Sequence, residues 1–126
     1  MGSTKLGRVQ LLIMQVLWDK GHATAREITD ALSVGEPIAH STVQTLLRGL
    51  EEKGSVSHKA DGRTFIFFPL VDEHKFKQSA TRDLVERVFG GSAASLVAHL
   101  LKHEEVSREE IDEIRKLIQR GRRNKE

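Results

Sequence analysis

The stretch STVQTLLRGLEEKGSVSHKADGRTFIFFP, Ser41 to Pro69, changes its apolar period partway along, and that change decides the fold. Up to Lys53 the apolar residues Val43, Leu46, Leu47 and Leu50 recur every three or four positions, the spacing of one helix face. Gly54 stops that helix, and the period falls to two. Strand-like runs, Ser55 to Ala60 and Arg63 to Phe68, flank Asp61-Gly62, a pair suited to a type I′ hairpin turn because that turn needs positive φ at both central positions. Counting outward from this turn pairs His58 with Phe65 and Val56 with Phe67 on one face. Pro69 denies the second strand a further backbone donor.

Two more helices precede this stretch. From Leu6 to Trp18 the residues Leu6, Val9, Ile13, Val16 and Leu17 form an apolar face, ended by Lys20 and Gly21. Thr24-Ala25-Arg26-Glu27 has the capping-box pattern and opens a short helix carrying Ile28, Ala31 and Leu32. After a turn from Ser33 to Ala39, Ser41-Thr42-Val43-Gln44 repeats the capping-box spacing and is read as the start of the third helix. Three short helices followed by a tight hairpin make a winged helix-turn-helix, so the chain is expected to be mainly α with a small β-hairpin wing.

Beyond Pro69 the pattern is helical throughout. Asp72, Ser92 and Ser107 can each cap a helix, Gly90-Gly91 separates the first from the second, and the tail from Arg120 to Lys125 is expected to fray. Three amphipathic helices form too thin a layer to bury Leu84, Val88, Phe89, Leu96, Val97, Leu100, Leu101, Ile111, Ile114 and Ile118 within one chain. A second copy would cover them; folding back onto the N-terminal domain is the alternative. The expected division is a winged-helix DNA-binding domain at 1–70 and a helical dimerisation domain at 71–126.

The third helix would then be the recognition helix. From Pro37 to Leu50 there is no acidic residue, whereas Ala39, His40, Ser41, Thr42, Gln44, Thr45 and Arg48 offer small or hydrogen-bonding groups to phosphates and base edges. Gln44 suits an adenine edge, and Thr42 or Thr45 a thymine methyl. Lys59, Arg63 and Thr64 flank the hairpin tip where a wing meets the DNA backbone, and Lys53 is a further phosphate candidate. Each residue also has a plainer reading: Ser41 and Gln44 as helix caps, the threonines as solvated surface, Lys59 and Arg63 as edge-strand protection. A winged-helix module that binds protein instead of DNA would call for an acidic or apolar third-helix surface.

Composition narrows the remaining classes. The chain has 126 residues, 20 Lys+Arg against 18 Asp+Glu for a net charge of +2, and no cysteine. Whole-chain charge therefore says little about nucleic acid, and neither half is strongly basic when the chain is split at Leu70. Without cysteine there is no disulfide, thiolate metal site or cysteine nucleophile. No apolar run reaches the ~18 residues of a membrane span, and the N-terminus lacks the apolar core of a signal peptide, so a cytoplasmic location is expected. Gly2 is followed by Leu6 where a myristoylation signal wants Ser or Thr. Gly90-Gly91-Ser92 lacks the lysine and strand of a phosphate loop, and no His-Glu-x-x-His is present, so neither enzyme activity nor a cofactor is expected. Of the six histidines, His99 and His103 alone share one helix face, with Glu104 beside them; solvated side chains are the ordinary reading, and no metal site is assigned.

The combination of IMQVLW (Ile13 to Trp18), STVQTLLRGLEEKG (Ser41 to Gly54), Gly62-Arg63, FFP (Phe67 to Pro69) and FGGSAASLVAHLL (Phe89 to Leu101) resembles the penicillinase-repressor family over roughly Leu6 to Leu117. The resemblance implies a homodimeric winged-helix repressor that sits on a palindromic promoter operator. It places the DNA-contacting stretch on Ala39 to Arg48, the wing's phosphate contacts on Lys59 to Thr64 and the dimerisation helices on Asp72 to Ile118. Three departures bear on it. The Asn-Phe pair at which antibiotic-responsive members are cut corresponds to His99-Leu100; the cysteine cluster of the copper-responsive relatives has no counterpart; and Phe67 replaces a usual tyrosine, losing a hydroxyl while keeping its packing.

Overall fold

The computed structural model of the protein describes residues 6–125, with side chains to Gly121. Gly2 lies outside the described residues. The elements run α1 (Arg8–Lys20), β1 (Ala23–Thr24), α2 (Ala25–Leu32), α3 (His40–Glu52), β2 (Val56–Asp61), β3 (Thr64–Pro69), α4 (Glu73–Val88), α5 (Ala93–His103) and α6 (Arg108–Lys125). Two compact units meet between Thr81 and Arg82, so that the first turns of α4 belong to the first unit.

The helix starts are set by local chemistry. The Thr24 hydroxyl accepts from the Glu27 N–H at 3.1 Å while Glu27 Oε1 accepts from the Thr24 N–H at 2.9 Å, so two orphan donors of α2 are satisfied reciprocally. Asp72 accepts from the Lys75 N–H, Ser92 from the Ser95 N–H and Ser107 from the Glu110 N–H, each within 3.1 Å. Helix α3 departs from expectation: its N-cap is Ala39, with no side-chain cap. The Ala39 carbonyl already accepts from the N–H groups of Thr42 and Val43, so Ser41 and Gln44 lie inside the helix and form no capping box. Two smaller differences concern the ends of the chain. Leu6 precedes α1, which begins after Gly7, and the tail continues as helix through Lys125 where fraying was expected.

The sheet has three antiparallel strands in the order β1-β3-β2. Two residues are too few to show a period, and so β1 was not legible; it pairs Ala23 with Phe67 and Thr24 with Ile66. In the hairpin, Asp61 pairs with Thr64, which makes Gly62-Arg63 the two central residues and moves the register two places from the sequence count: His58 faces Phe67, Ala60 faces Phe65 and Val56 faces Pro69. Gly62 has φ +65° and no residue other than glycine has positive φ among the described residues, the pattern of a type II′ turn with glycine first. A slip of two keeps every side chain on its face, whereas a slip of one would have exchanged them. The expected face of Val56, His58, Phe65 and Phe67 therefore stands.

The core of the first unit is Ile13, Met14 and Leu17 from α1, Ala23 from β1, Ile28 from α2, Val43, Leu47 and Leu50 from α3, and Val56 from β2, each no more than 1% exposed. Phe67 packs on its edge. The Trp18 indole N–H donates to the Val71 carbonyl at 2.9 Å and its ring lies 5.4 Å from Phe76, which ties the start of α4 to α1. In the second unit no residue of α5 is buried, and Val88, Leu117 and Ile118 are 66%, 58% and 58% exposed. Among the described residues no single helix is long and apolar enough to cross a membrane.

Two outcomes follow from this packing. Leu47→Ala should cost about 2–5 kcal/mol in urea unfolding through the cavity it leaves, whereas Val34→Ala, at a fully solvated turn, should stay within about 0.5 kcal/mol. The Thr24 N–H bonded to Glu27 holds that carboxyl below its ordinary range, with the Thr24 hydroxyl adding to the effect. A lowered folded-state value stabilises the fold above the unfolded-state value and is lost as pH falls through the folded one. The stability gap between wild type and Glu27→Gln should therefore shrink on acidification through the carboxylate range, and a gap that widened would contradict the box.

Candidate nucleic-acid interface

Burial of Val43, Leu47 and Leu50 leaves the opposite side of α3 to solvent. Ser41, Gln44, Thr45 and Arg48 fall on it at helical spacing, with Thr42 beside them and Ala39 at the N-cap, all exposed. No carboxylate interrupts this stripe before Glu51 at the helix's C-terminal end. Beside it runs an open groove of about 810 Å³ between α3, the start of α2 and the inner face of the hairpin. His40, Gln44 and Arg48 form one wall, and Arg63 and Thr64 line the far side.

His40 is held in place by α2. Its Nδ1 lies 3.0 Å from the Thr29 hydroxyl, and Thr29, itself 5% exposed, donates its single proton to the Ala25 carbonyl at 2.8 Å. The hydroxyl oxygen must then accept, so the ring carries its proton on Nδ1. In the neutral ring Nε2 is left as an acceptor, able to meet the exocyclic amine of adenine or cytosine.

The remaining candidates lie apart from the groove wall. Lys53 caps the C-terminus of α3 and donates to Gln10 of α1 at 3.4 Å. Lys59 sits on the outer face of the hairpin, its ammonium 5.8 Å from the centre of the Phe68 ring. The groove in turn contains residues the sequence reading did not single out: Arg26, Glu51, Glu52 and the ring pair His58 and Phe65. Arg26 was passed over as the interior of a capping box, and the two glutamates begin one residue after the acid-free window closes.

In the second unit the His99 and His103 rings are 4.6 Å apart, with the Phe89 ring edge-on to His99 at 5.8 Å. No group of three His, Cys, Asp or Glu side chains that could hold a metal ion occurs among the described residues. What the groove and stripe offer is an array of hydrogen-bond donors and acceptors on a rigid helix beside a hairpin.

This is the architecture of a winged-helix protein with a helical extension. The family model described as penicillinase repressor matches residues 6–120. The chain is 28% identical over 106 residues to the methicillin resistance regulatory protein MecI of Staphylococcus aureus (strain N315), covering 84% of this chain and 86% of that protein. It is 26% identical over 121 residues to the penicillinase repressor of Bacillus licheniformis, covering 96% and 94%. The solution structure of the DNA-binding domain of the repressor BlaI superposes with a TM-score of 0.52 and 30% identity, over 58% of this chain and 90% of that one. The chain belongs to the penicillinase-repressor family, whose members are DNA-binding transcription regulators and not enzymes.

The His40 geometry has a direct readout. Nitrogen chemical shifts of the neutral ring should show the proton on Nδ1 in wild type, and Thr29→Val should return the ring to a mixture of tautomers. A wild-type ring protonated on Nε2 would mean that the Thr29 hydroxyl donates to Nδ1, contradicting its donation to the Ala25 carbonyl.

Proposed function

We propose that the protein is a homodimeric transcriptional repressor, each subunit of which sets α3 into the major groove of one half of a palindromic operator while its wing meets the flanking phosphates. The observation that carries this reading is the acid-free outer stripe of α3 beside a hairpin tip bearing Arg63, in a domain 30% identical to a solved DNA-binding domain. A major groove about 12 Å wide admits one α-helix, and residues at its N-terminal end reach base edges. His40, Ser41, Thr42, Gln44 and Thr45 take that role. Arg48, Arg63, Thr64 and Ala39 position the helix on the backbone, with Lys53 and Lys59 adding positive charge around it.

The dimer is supported by the second unit. Leu84, Val88, Val97, Leu100, Leu101, Leu117 and Ile118 are between 38% and 66% exposed, a burden of apolar surface that a second copy would cover. Phe89, Leu96, Ile111 and Ile114, half-buried, border the same surface. Two-fold pairing presents two identical α3 helices, which is why the operator should be a palindrome. A net charge of only +2 fits dependence on two half-sites more than on non-specific attraction. Such a protein works beside the chromosome, hence in the cytoplasm.

Binding to duplex DNA, followed by fluorescence anisotropy across a salt series, tests the reading. The logarithm of affinity should fall linearly with the logarithm of salt, and Arg63→Ala should weaken all sequences alike and reduce the slope by about one. Gln44→Ala should lower discrimination between duplexes by about 1–3 kcal/mol with the slope unchanged. If no duplex binds at low salt, the reading is lost. In sedimentation at micromolar concentration the wild type should be a dimer, and Leu100→Glu with Leu101→Glu a monomer; a monomeric wild type would overturn the dimer.

A further inference from the structure

Glu51 stands where a DNA-binding surface should not keep a carboxylate. It is in the last turn of α3, at the negative end of that helix's dipole, and it lines the same groove as Arg48, Arg63 and Thr64, the residues proposed to meet the DNA backbone. No basic residue occupies the last turn of α3 to offset it. What meets it comes from the hairpin: His58 Nδ1 lies 2.7 Å from Glu51 Oε1. The His58 ring is stacked on Phe65 with centroids 4.3 Å apart and planes 27° from parallel, and it meets Phe67 at 5.5 Å. Phe67 in turn packs against the core.

We infer that Glu51 and His58 form a clamp that fixes the wing against the recognition helix, the two acting as positioning residues for Arg63 and Thr64 without touching DNA. The hairpin needs such a device. β1 supports β3 only at Phe67 and Ile66, so Ala60 to Phe65 run on as a two-stranded ribbon carrying the Gly62-Arg63 tip. A lone two-stranded ribbon is marginally stable in water. His58, at the three-stranded base of that ribbon, is joined to the end of α3 by one short hydrogen bond and passes the support outward through one ring stack on Phe65, a ribbon residue otherwise 51% exposed. The pairing also engages the Glu51 carboxylate that would otherwise repel phosphate.

The inference rests on the DNA-binding reading, and the two are separable by experiment. Simple charge repulsion says that Glu51→Ala tightens binding to a random-sequence duplex, because an acid leaves the groove. The clamp says the reverse. Glu51→Ala and His58→Ala should each weaken that binding about tenfold, and the double variant should be no weaker than the worse single, as expected for two residues acting as one unit. Glu51→Gln keeps an acceptor for Nδ1–H and should stay within about threefold of wild type. The salt slope should not change in any of them, since no phosphate contact is removed. A second readout needs no DNA: backbone order parameters at Gly62, Arg63 and Thr64 should drop from about 0.85 to below about 0.6 in Glu51→Ala and hold in Glu51→Gln. Unchanged or tighter binding by Glu51→Ala overturns the clamp. If wild type binds no duplex, the repressor reading fails, and unchanged order parameters in Glu51→Ala then overturn the clamp on their own.

Discussion

The first unit depends on the way α3 is locked by its own buried stripe. Val43, Leu47 and Leu50 are at most 1% exposed and sit among Ile13, Met14 and Leu17 of α1, Ile28 of α2 and Val56 of β2. Because successive helix residues are about 100° apart, moving this stripe by one position would rotate the helix by that angle. The core would then receive Gln44 or Arg48, and polar groups buried without partners are costly. Core packing therefore selects which residues of α3 meet solvent, and Ser41, Gln44, Thr45 and Arg48 are displayed as a consequence.

The hairpin is attached to this locked helix in a graded way. Near the core, β3 lies between β1 and β2 and sends Phe67 inward. At the same level, opposite Phe67, His58 reaches from β2 to Glu51, and at the tip Gly62 supplies the positive φ of the turn. His40 is held in the same manner at the other end of α3, by a buried threonine whose only proton is spent on its own helix. Both ends of the groove are thus oriented by bonds from neighbouring elements, which is the arrangement expected of a rigid recognition surface.

Much of this was legible along the chain because it rests on short-range chemistry. The pairing of Thr24 with Glu27 and the caps at Asp72, Ser92 and Ser107 each involve residues three apart, and each forms. The hairpin was legible as to face but not register, since a two-residue slip leaves the alternation intact and only the choice of Gly62-Arg63 over Asp61-Gly62 as the central pair differs. Ser41 does not cap because α3 begins two residues earlier than that box requires, at His40 with Ala39 as its N-cap, and α2 holds His40 through Thr29. The groove itself was half visible. His40, Gln44, Arg48, Arg63 and Thr64 were chosen from residue type and position, while Arg26, Glu51 and His58 join them only through tertiary packing that no local pattern encodes.

The second unit's helices leave apolar side chains in water, and in the proposed dimer a second copy would cover that surface and set two α3 helices about a two-fold axis. The measurement that bears most directly on this is selection of bound duplexes from a random pool, followed by sequencing. A two-fold dimer selects an inverted repeat whose half-sites are centred about one helical turn, or a multiple of it, apart. Enrichment of a single unrepeated motif, or of no motif, would contradict it.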